Sequence, residues 1–130
     1  MSEGLDSTIG SATMIRSKLF DLAGKRVFVA GHAGMVGSAI VRRLMREKCE
    51  ILTAGRESLD LTRQAEVERW FADNRPDAVF LAAAKVGGIH ANIAHPADFI
   101  ADNLQIELNV IRSACAAQVK KLLFLGSSCI

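Results

Sequence analysis

A glycine-rich segment between an apolar run and an amphipathic run is the feature that most constrains the fold of this 130-residue chain. Residues 26–30 (RVFVA) are mostly β-branched, aromatic or small, which is typical of a buried strand. Residues 31–37 (GHAGMVG) place a glycine at every third position, and residues 35–48 then repeat apolar side chains at helical spacing. A strand, a tight glycine turn and a helix in this order predict an α/β fold.

The alternation of strand and helix continues to the end of the sequence. Because the strands are apolar and separated by helices, we predict a doubly wound parallel sheet with right-handed crossovers, the Rossmann arrangement. Such a sheet binds ligands beyond the carboxyl ends of its strands. Residues 1–20 are small, polar and aperiodic and predict a disordered or loosely docked tail, which leaves residues 21–130 as the folded part. Further strands are predicted at 50–54, 59–61, 78–83 and 121–125, and helices at 62–74 (with Thr62 as N-cap) and 96–118.

Composition excludes several other classes of protein. Sixteen Lys and Arg against 14 Asp and Glu give a net charge of +2, without the basic excess of a nucleic-acid-binding protein. No apolar stretch approaches the roughly 20 residues of a membrane span, and the first residues lack the apolar core of a secretory signal. Three cysteines without a C-x-x-C spacing predict neither a disulfide framework nor a metal site, so a cytoplasmic protein is expected.

The glycine turn also predicts a ligand. Glycine allows a sharp reversal and lets backbone N–H groups approach a pyrophosphate at the positive end of the next helix. The spacing is G-x-x-G-x-x-G, and the alternative is a tight structural turn that binds nothing. After the second predicted strand the chain has Arg56 and no acid before Glu57, which favours a cofactor with a 2′-phosphate, unless Arg56 is a solvated loop residue.

Four stretches resemble the GDP-L-fucose synthases, members of the extended short-chain dehydrogenase/reductase family. They are RVFVAGHAGMVGSAI at 26–40, LAAAKVGGIHAN at 81–92, HPADFI at 95–100 and KKLLFLGSSCI at 120–130. The resemblance implies that residues 21–130 are the amino-terminal part of an NADP-binding Rossmann domain, truncated before the later strands and the sugar-nucleotide domain that the family has. It also implies an NADP-dependent (NADPH-using) enzyme that epimerises C3 and C5 of GDP-4-keto-6-deoxy-D-mannose and reduces its C4 ketone, giving GDP-L-fucose.

The resemblance assigns roles to individual residues. It implies that Ser127 hydrogen-bonds the C4 oxygen and that Cys129 is the acid/base at the epimerising carbons. A thiol can exchange protons next to a ketone if its surroundings lower its pKa, although by residue type alone an inert thiol and a strand-end serine are the alternatives. The cofactor-binding residues implied are Gly31, His32, Ala33, Gly34, Met35, Val36, Gly37, Arg56, Asp60, Leu61, Ala83, Ala84, Leu125 and Gly126.

The sequence departs from the family pattern at two places. Ala33 stands where the family usually has an arginine that helps to hold the 2′-phosphate, which leaves Arg56 for that role. The family's Tyr-x-x-x-Lys pair has no counterpart because the sequence contains no tyrosine, so we expect these 130 residues alone not to reduce a keto-sugar. The alternatives are a non-catalytic dinucleotide-binding module and a related NAD-dependent sugar-nucleotide epimerase or dehydratase. The missing acid at the end of the second predicted strand disfavours the latter.

The long helix predicted at 96–118 carries an apolar stripe with two interpretations. In related extended reductases this helix contributes to a homodimer, and the stripe fits that role. Packing of the helix on its own sheet requires the same stripe, so both interpretations stay open. The stripe consists of Ile100, Leu104, Leu108, Ile111 and Cys115.

Overall fold

The computed structural model describes residues 19–84 and 93–126, which form one parallel sheet with helices on both faces. The doubly wound fold class is therefore confirmed, while residues 1–18 of the expected tail lie outside the described part. The strands are β1 (Arg26–Ala30), β2 (Glu50–Leu52), β3 (Ala78–Leu81) and β4 (Lys121–Phe124). The helices are α1 (Met35–Leu44), α2 (Gln64–Asn74) and α3 (Pro96–Ala116).

The strand order β2-β1-β3-β4 places the switch in direction at β1. The chain passes from β1 to β2 on one side and then crosses to β3 on the other, and both pairings are parallel. In open α/β sheets the ligand crevice lies at such a switch, outside the carboxyl ends of the strands. The sequence segments after β1, β2 and β3 therefore meet at one edge of the sheet.

Alternate residues of β1 point to opposite faces and divide the core in two. Val27 and Val29 pack with Leu44 of α1 on one face. Phe28 packs on the other face against α2, with ring centroids 4.1 Å from Trp70 and 5.9 Å from Phe71. Both faces of β1 are buried, which explains why its sequence is almost continuously apolar.

Several elements differ from the prediction. The strands predicted at 50–54, 78–83 and 121–125 end earlier, at Leu52, Leu81 and Phe124, and the long helix ends at Ala116. Helix α1 ends at Leu44, not near residue 48, because i→i+3 turns tighten the chain before it enters β2. Residues 59–61 form no strand, since the backbone around them makes turn hydrogen bonds instead of a ladder. Helix α2 begins at Gln64 after the N-cap Arg63, because the Thr62 hydroxyl donates to Asp60 and does not cap the helix.

The packing interpretation of the α3 stripe is wrong. Ile100 and Leu104 are each 58% exposed, and Leu108 and Ile111 are 48% and 46% exposed. A different face of α3 packs against α2 and the sheet, and its residues follow the helical spacing i, i+3, i+4, i+7 and i+8. Because this face includes an amide and a hydroxyl, a search for apolar residues misses it. This buried face consists of Ile106, Asn109, Val110, Ser113 and Ala114.

Within the described ranges, no helix combines the length and the apolar character that crossing a membrane would require.

Candidate functional site

A cavity of about 500 Å³ lies at the carboxyl edge of the sheet. Segments that follow β1, β2 and β3 form its walls, and α3 closes one side with Asp102 and Ile106. The cavity therefore lies where the strand order predicts a ligand crevice. The lining residues are Gly31, His32, Ala33, Gly34, Ala54, Gly55, Arg56, Leu59, Asp60, Leu61, Thr62, Ala82, Ala83, Ala84, Asp102 and Ile106.

Gly31 turns the chain at the end of β1 and can be no other residue. Its φ of +84° lies in the left-handed region that side chains rarely adopt. A Cβ built there would lie 2.7 Å from the backbone of Ala82 and Ala83, which follow β3. The two strand ends flanking the switch point can approach each other because this position carries no side chain.

The other two glycines of the turn differ in what surrounds them. A Cβ on Gly37 would overlap the Gly31 carbonyl, so the fold itself requires glycine where α1 packs on the turn. Gly34, by contrast, has an ordinary φ of −74°, and a Cβ there would meet only the Gly31 oxygen at 3.5 Å. The fold does not require glycine at position 34, and this residue lines the cavity with its backbone uncovered by a side chain.

Helix α1 begins directly after its N-cap, Gly34, which lines the cavity. Among the described residues no side chain caps this N-terminus, and the first turn contains no acidic residue. The first N–H groups of a helix lack intrahelical acceptors, and the helix dipole adds positive potential at this end. An anion in the cavity would be stabilised by both effects.

The loop after β2 is held by polar side chains. Asp60 accepts hydrogen bonds from the Thr62 hydroxyl at 2.6 Å and the Thr62 N–H at 3.0 Å, and its own N–H donates to Glu66 at 3.1 Å. Arg63 lies 3.6 Å from the Asp60 carboxylate and 3.7 Å from that of Glu66. The Thr62 hydrogen bonds, and after them the positive charges of Arg63 and Arg56, lower the pKa of Asp60. Asp60 is thus an anion at neutral pH and fixes the loop.

The structure brings together most of the predicted cofactor-binding residues. Met35, Val36 and Gly37 lie in the first turn of α1, outside the cavity wall. The predicted catalytic residues Ser127 and Cys129 lie outside the described residues. Leu125 and Gly126 follow β4, and the Leu125 N–H donates to Leu81 of β3 at 3.1 Å. The predicted residues that line the cavity are Gly31, His32, Ala33, Gly34, Arg56, Asp60, Leu61, Ala83 and Ala84.

Sequence reasoning missed the contribution of α3. Asp102 and Ile106 line the cavity, and Asn109 donates a hydrogen bond to the Leu61 carbonyl at 2.9 Å. Residues 102, 106 and 109 follow helical spacing, which is the signal that could have found this face. The stripe of larger apolar residues on the opposite side obscured it.

Neither Cys49 nor Cys115 lines the cavity. Partial burial, aided by the negative charge of Glu47, raises the pKa of the Cys49 thiol, so it stays protonated at neutral pH. Cys115 is exposed on α3. In residues 19–84 and 93–126, no group of three His, Cys, Asp or Glu side chains could hold a metal ion.

Comparison with known proteins identifies the family. The model of the NAD dependent epimerase/dehydratase family matches residues 27–130. The chain belongs to this family. Among curated members, the GDP-L-fucose synthase of Sinorhizobium fredii is 59% identical over 112 residues, which are 86% of this chain and 36% of the relative. GDP-L-fucose synthase 1 of Arabidopsis thaliana is 57% identical over 124 residues, 95% of this chain and 37% of the relative.

A solved structure of a family neighbour has the same fold. A GDP-D-glycero-L-gluco-heptose synthase from Campylobacter jejuni, determined in the presence of NADPH, superposes with a TM-score of 0.77 at 40% identity. The superposition covers 81% of this chain and 31% of that protein. The resemblance to GDP-L-fucose synthases is thus confirmed, and the chain spans a little over a third of the length of the curated relatives it matches.

Proposed function

We propose that this chain is the cofactor-binding part of an NADP-dependent epimerase/reductase of the GDP-L-fucose synthase type. The observation that carries the proposal is Gly34, a glycine that lines the cavity without a structural need for it, beside the uncapped N-terminus of α1. A diphosphate would lie against these N–H groups. When bound, NADPH supplies the hydride for reduction of a ketone.

Arg56 is the residue we propose to select NADP over NAD. It follows β2, where Rossmann proteins recognise the ribose 2′ position, and it lines the cavity. Its guanidinium can form a forked contact with a phosphate, whereas an acid that would accept from a 2′-hydroxyl is missing before Glu57. Asp60 and Leu61 would lie against the adenosine half.

Cofactor titration tests this assignment. We expect a Kd for NADPH at least about tenfold lower than that for NADH, measured by nucleotide fluorescence. Arg56→Gln should remove this difference by weakening NADPH alone, whereas Arg69→Gln, at an exposed position of α2, should preserve it. Equal Kd values for the two nucleotides in the unsubstituted protein would contradict NADP dependence.

We propose that the substrate is GDP-4-keto-6-deoxy-D-mannose, with Ser127 at the C4 oxygen and Cys129 as the acid/base for C3 and C5. The relatives named as GDP-L-fucose synthases support this proposal. A hydroxyl beside the ketone stabilises the alkoxide that develops during reduction, and a thiolate can remove a proton next to a carbonyl.

A chimera provides the experiment. Residues 25–130 would replace the matching segment of the Sinorhizobium fredii relative, and we expect conversion of the keto-sugar to GDP-L-fucose to persist. In this chimera Cys129→Ser should abolish deuterium exchange at C3 and C5, detected by NMR in D₂O, whereas Cys115→Ser should not. A chimera that binds NADPH but cannot process the sugar would overturn the substrate assignment.

We propose that the protein is cytoplasmic, as its cysteine usage favours.

We propose that two copies of the chain associate through the exposed stripe of α3. Leu104, Leu108 and Ile111 are each about half exposed and recur at i, i+4 and i+7, which suits helix-to-helix contact. Leu108→Glu should reduce the mass measured by light scattering to that of a monomer. Arg69→Glu should leave the mass of the pair unchanged, and a monomeric unsubstituted protein would reject the dimer.

A further inference from the structure

The amide of Asn109 connects α3 to the loop after β2, 48 residues earlier in the chain. Asn109 is only 2% exposed, although the surrounding core is apolar. Its Nδ2 donates to the Leu61 carbonyl at 2.9 Å, and its Oδ1 accepts from the Gln105 Nε2 at 2.7 Å. A buried amide with partners on both ends is stabilised in one position.

The Leu61 carbonyl determines which way this amide faces, and Gln105 supports that orientation. The Leu61 carbonyl can only accept, so Asn109 must turn its NH₂ group toward it. The Gln105 NH₂ group donates to the remaining oxygen, and a flipped Asn109 would bring two acceptors together at Leu61. The pair therefore holds the carbonyl of Leu61 in a fixed place.

The fixed carbonyl belongs to the cavity wall. Leu61 lies between Asp60 and Thr62, and all three line the cavity on the side that follows β2. One turn before Asn109, Ile106 lines the cavity from α3. The hydrogen bond thus ties together two walls that are distant in sequence, at the side where a Rossmann fold receives the adenosine half of its cofactor.

We propose that Asn109 is a positioning residue, which sets the adenosine side of the cofactor cavity by holding the Leu61 carbonyl, with Gln105 supporting its amide. This inference rests on the proposed NADP function. Loss of the bond leaves a carbonyl without its donor and frees residues 60–62 to move, so the adenosine half loses a preformed surface.

The experiment compares ligands that report on this half of the cofactor. Adenosine 2′,5′-bisphosphate carries the adenosine and its 2′-phosphate but no nicotinamide. In Asn109→Leu we expect the Kd values for this fragment and for NADPH to rise by the same factor, about tenfold. Gln105→Leu, which keeps the donor to Leu61 but removes the hydrogen bond that supports the Asn109 amide, should raise both Kd values by a smaller factor.

Ser113→Ala is the matched control on the same helix. Ser113 is also buried, one turn beyond Asn109, but it does not line this cavity, and its hydroxyl has no hydrogen-bond partner among the described residues. We expect its two Kd values to equal those of the unsubstituted protein. All titrations are made where circular dichroism shows each variant folded, and if Asn109→Leu does not fold, Gln105→Leu alone decides.

The outcomes separate this inference from the proposed function. If the unsubstituted protein binds NADPH and neither Asn109→Leu nor Gln105→Leu weakens the bisphosphate, the positioning role is rejected and the cofactor assignment stands. If Ser113→Ala weakens binding of both ligands as much as Asn109→Leu does, the positioning role is also rejected, since any change on the buried face of α3 would then weaken binding. If the unsubstituted protein binds neither ligand, the proposed function is rejected, and the inference with it.

Discussion

The turn after β1 and the loop after β2 face the same cavity but are stabilised in opposite ways. The turn is shaped by missing side chains: Gly31 and Gly37 let backbone segments approach to distances that no Cβ would allow. The loop is shaped by polar side chains, with Asp60 accepting from Thr62 and Asn109 holding the Leu61 carbonyl. One wall therefore depends on sterics and the other on hydrogen bonds.

This difference has consequences for the energetics of substitution. A Cβ that overlaps backbone atoms cannot be accommodated by rotating a side chain, so a change in the turn affects the whole fold. A lost hydrogen bond at a half-exposed loop is partly replaced by water, so a change in the loop costs less and remains local. The turn is thus expected to be rigid, and the loop adjustable.

Gly37→Ala should have the largest effect. Its Cβ would overlap the Gly31 carbonyl, so α1 would have to leave the turn, and we expect a loss of at least about 3 kcal/mol in the free energy of unfolding. Urea denaturation measures this loss. Gly55→Ala is the control because a Cβ there has no atom within 4 Å. Similar midpoints for both variants would show that the turn is not sterically constrained.

Gly34→Ala should separate binding from folding within the same turn. The position has an ordinary φ and space for a Cβ, so unfolding free energy should change by less than about 1 kcal/mol. The added methyl group would stand between the backbone and a diphosphate, and we expect the Kd for NADPH to rise about tenfold or more. An unchanged Kd would favour the alternative of a structural turn that binds no ligand.

The same difference explains what the sequence could and could not predict. The turn follows from local spacing, since a glycine at every third position between a strand and a helix leaves few conformations open. Strand β1 was predicted with its observed bounds, Arg26–Ala30, because both of its faces are buried and its sequence is therefore almost continuously apolar.

The loop depends on contacts that local patterns do not contain. Residues 59–61 alternate apolar and polar side chains, as a strand would. The hydrogen bond to the Leu61 carbonyl, however, comes from Asn109, 48 residues away, and the Thr62 hydroxyl donates to Asp60. The packing interpretation of α3 failed for a related reason. The helix buries Asn109 and Ser113 together with Ile106 and Val110, because it lies close to α2 and the loop, and it exposes the leucines and isoleucines of the stripe.

Thr62→Val should have the smallest effect and should depend on pH. It removes the 2.6 Å hydrogen bond from the hydroxyl to Asp60, and because Asp60 is about half exposed we expect a loss of about 1 kcal/mol at pH 7. The Thr62 hydrogen bonds lower the pKa of Asp60 in the folded state, so this stabilisation is complete above the unfolded pKa of about 4 and disappears as pH falls through the folded pKa. The stability difference between Thr62→Val and the unsubstituted protein, measured by urea denaturation, should therefore narrow below about pH 4.

Thr62→Ser keeps the hydroxyl and should restore most of the lost stability. A difference that is the same at neutral and acidic pH would mean that the loop is held by packing of the Thr62 methyl group and not by the charge of Asp60, which would remove the contrast with the turn after β1.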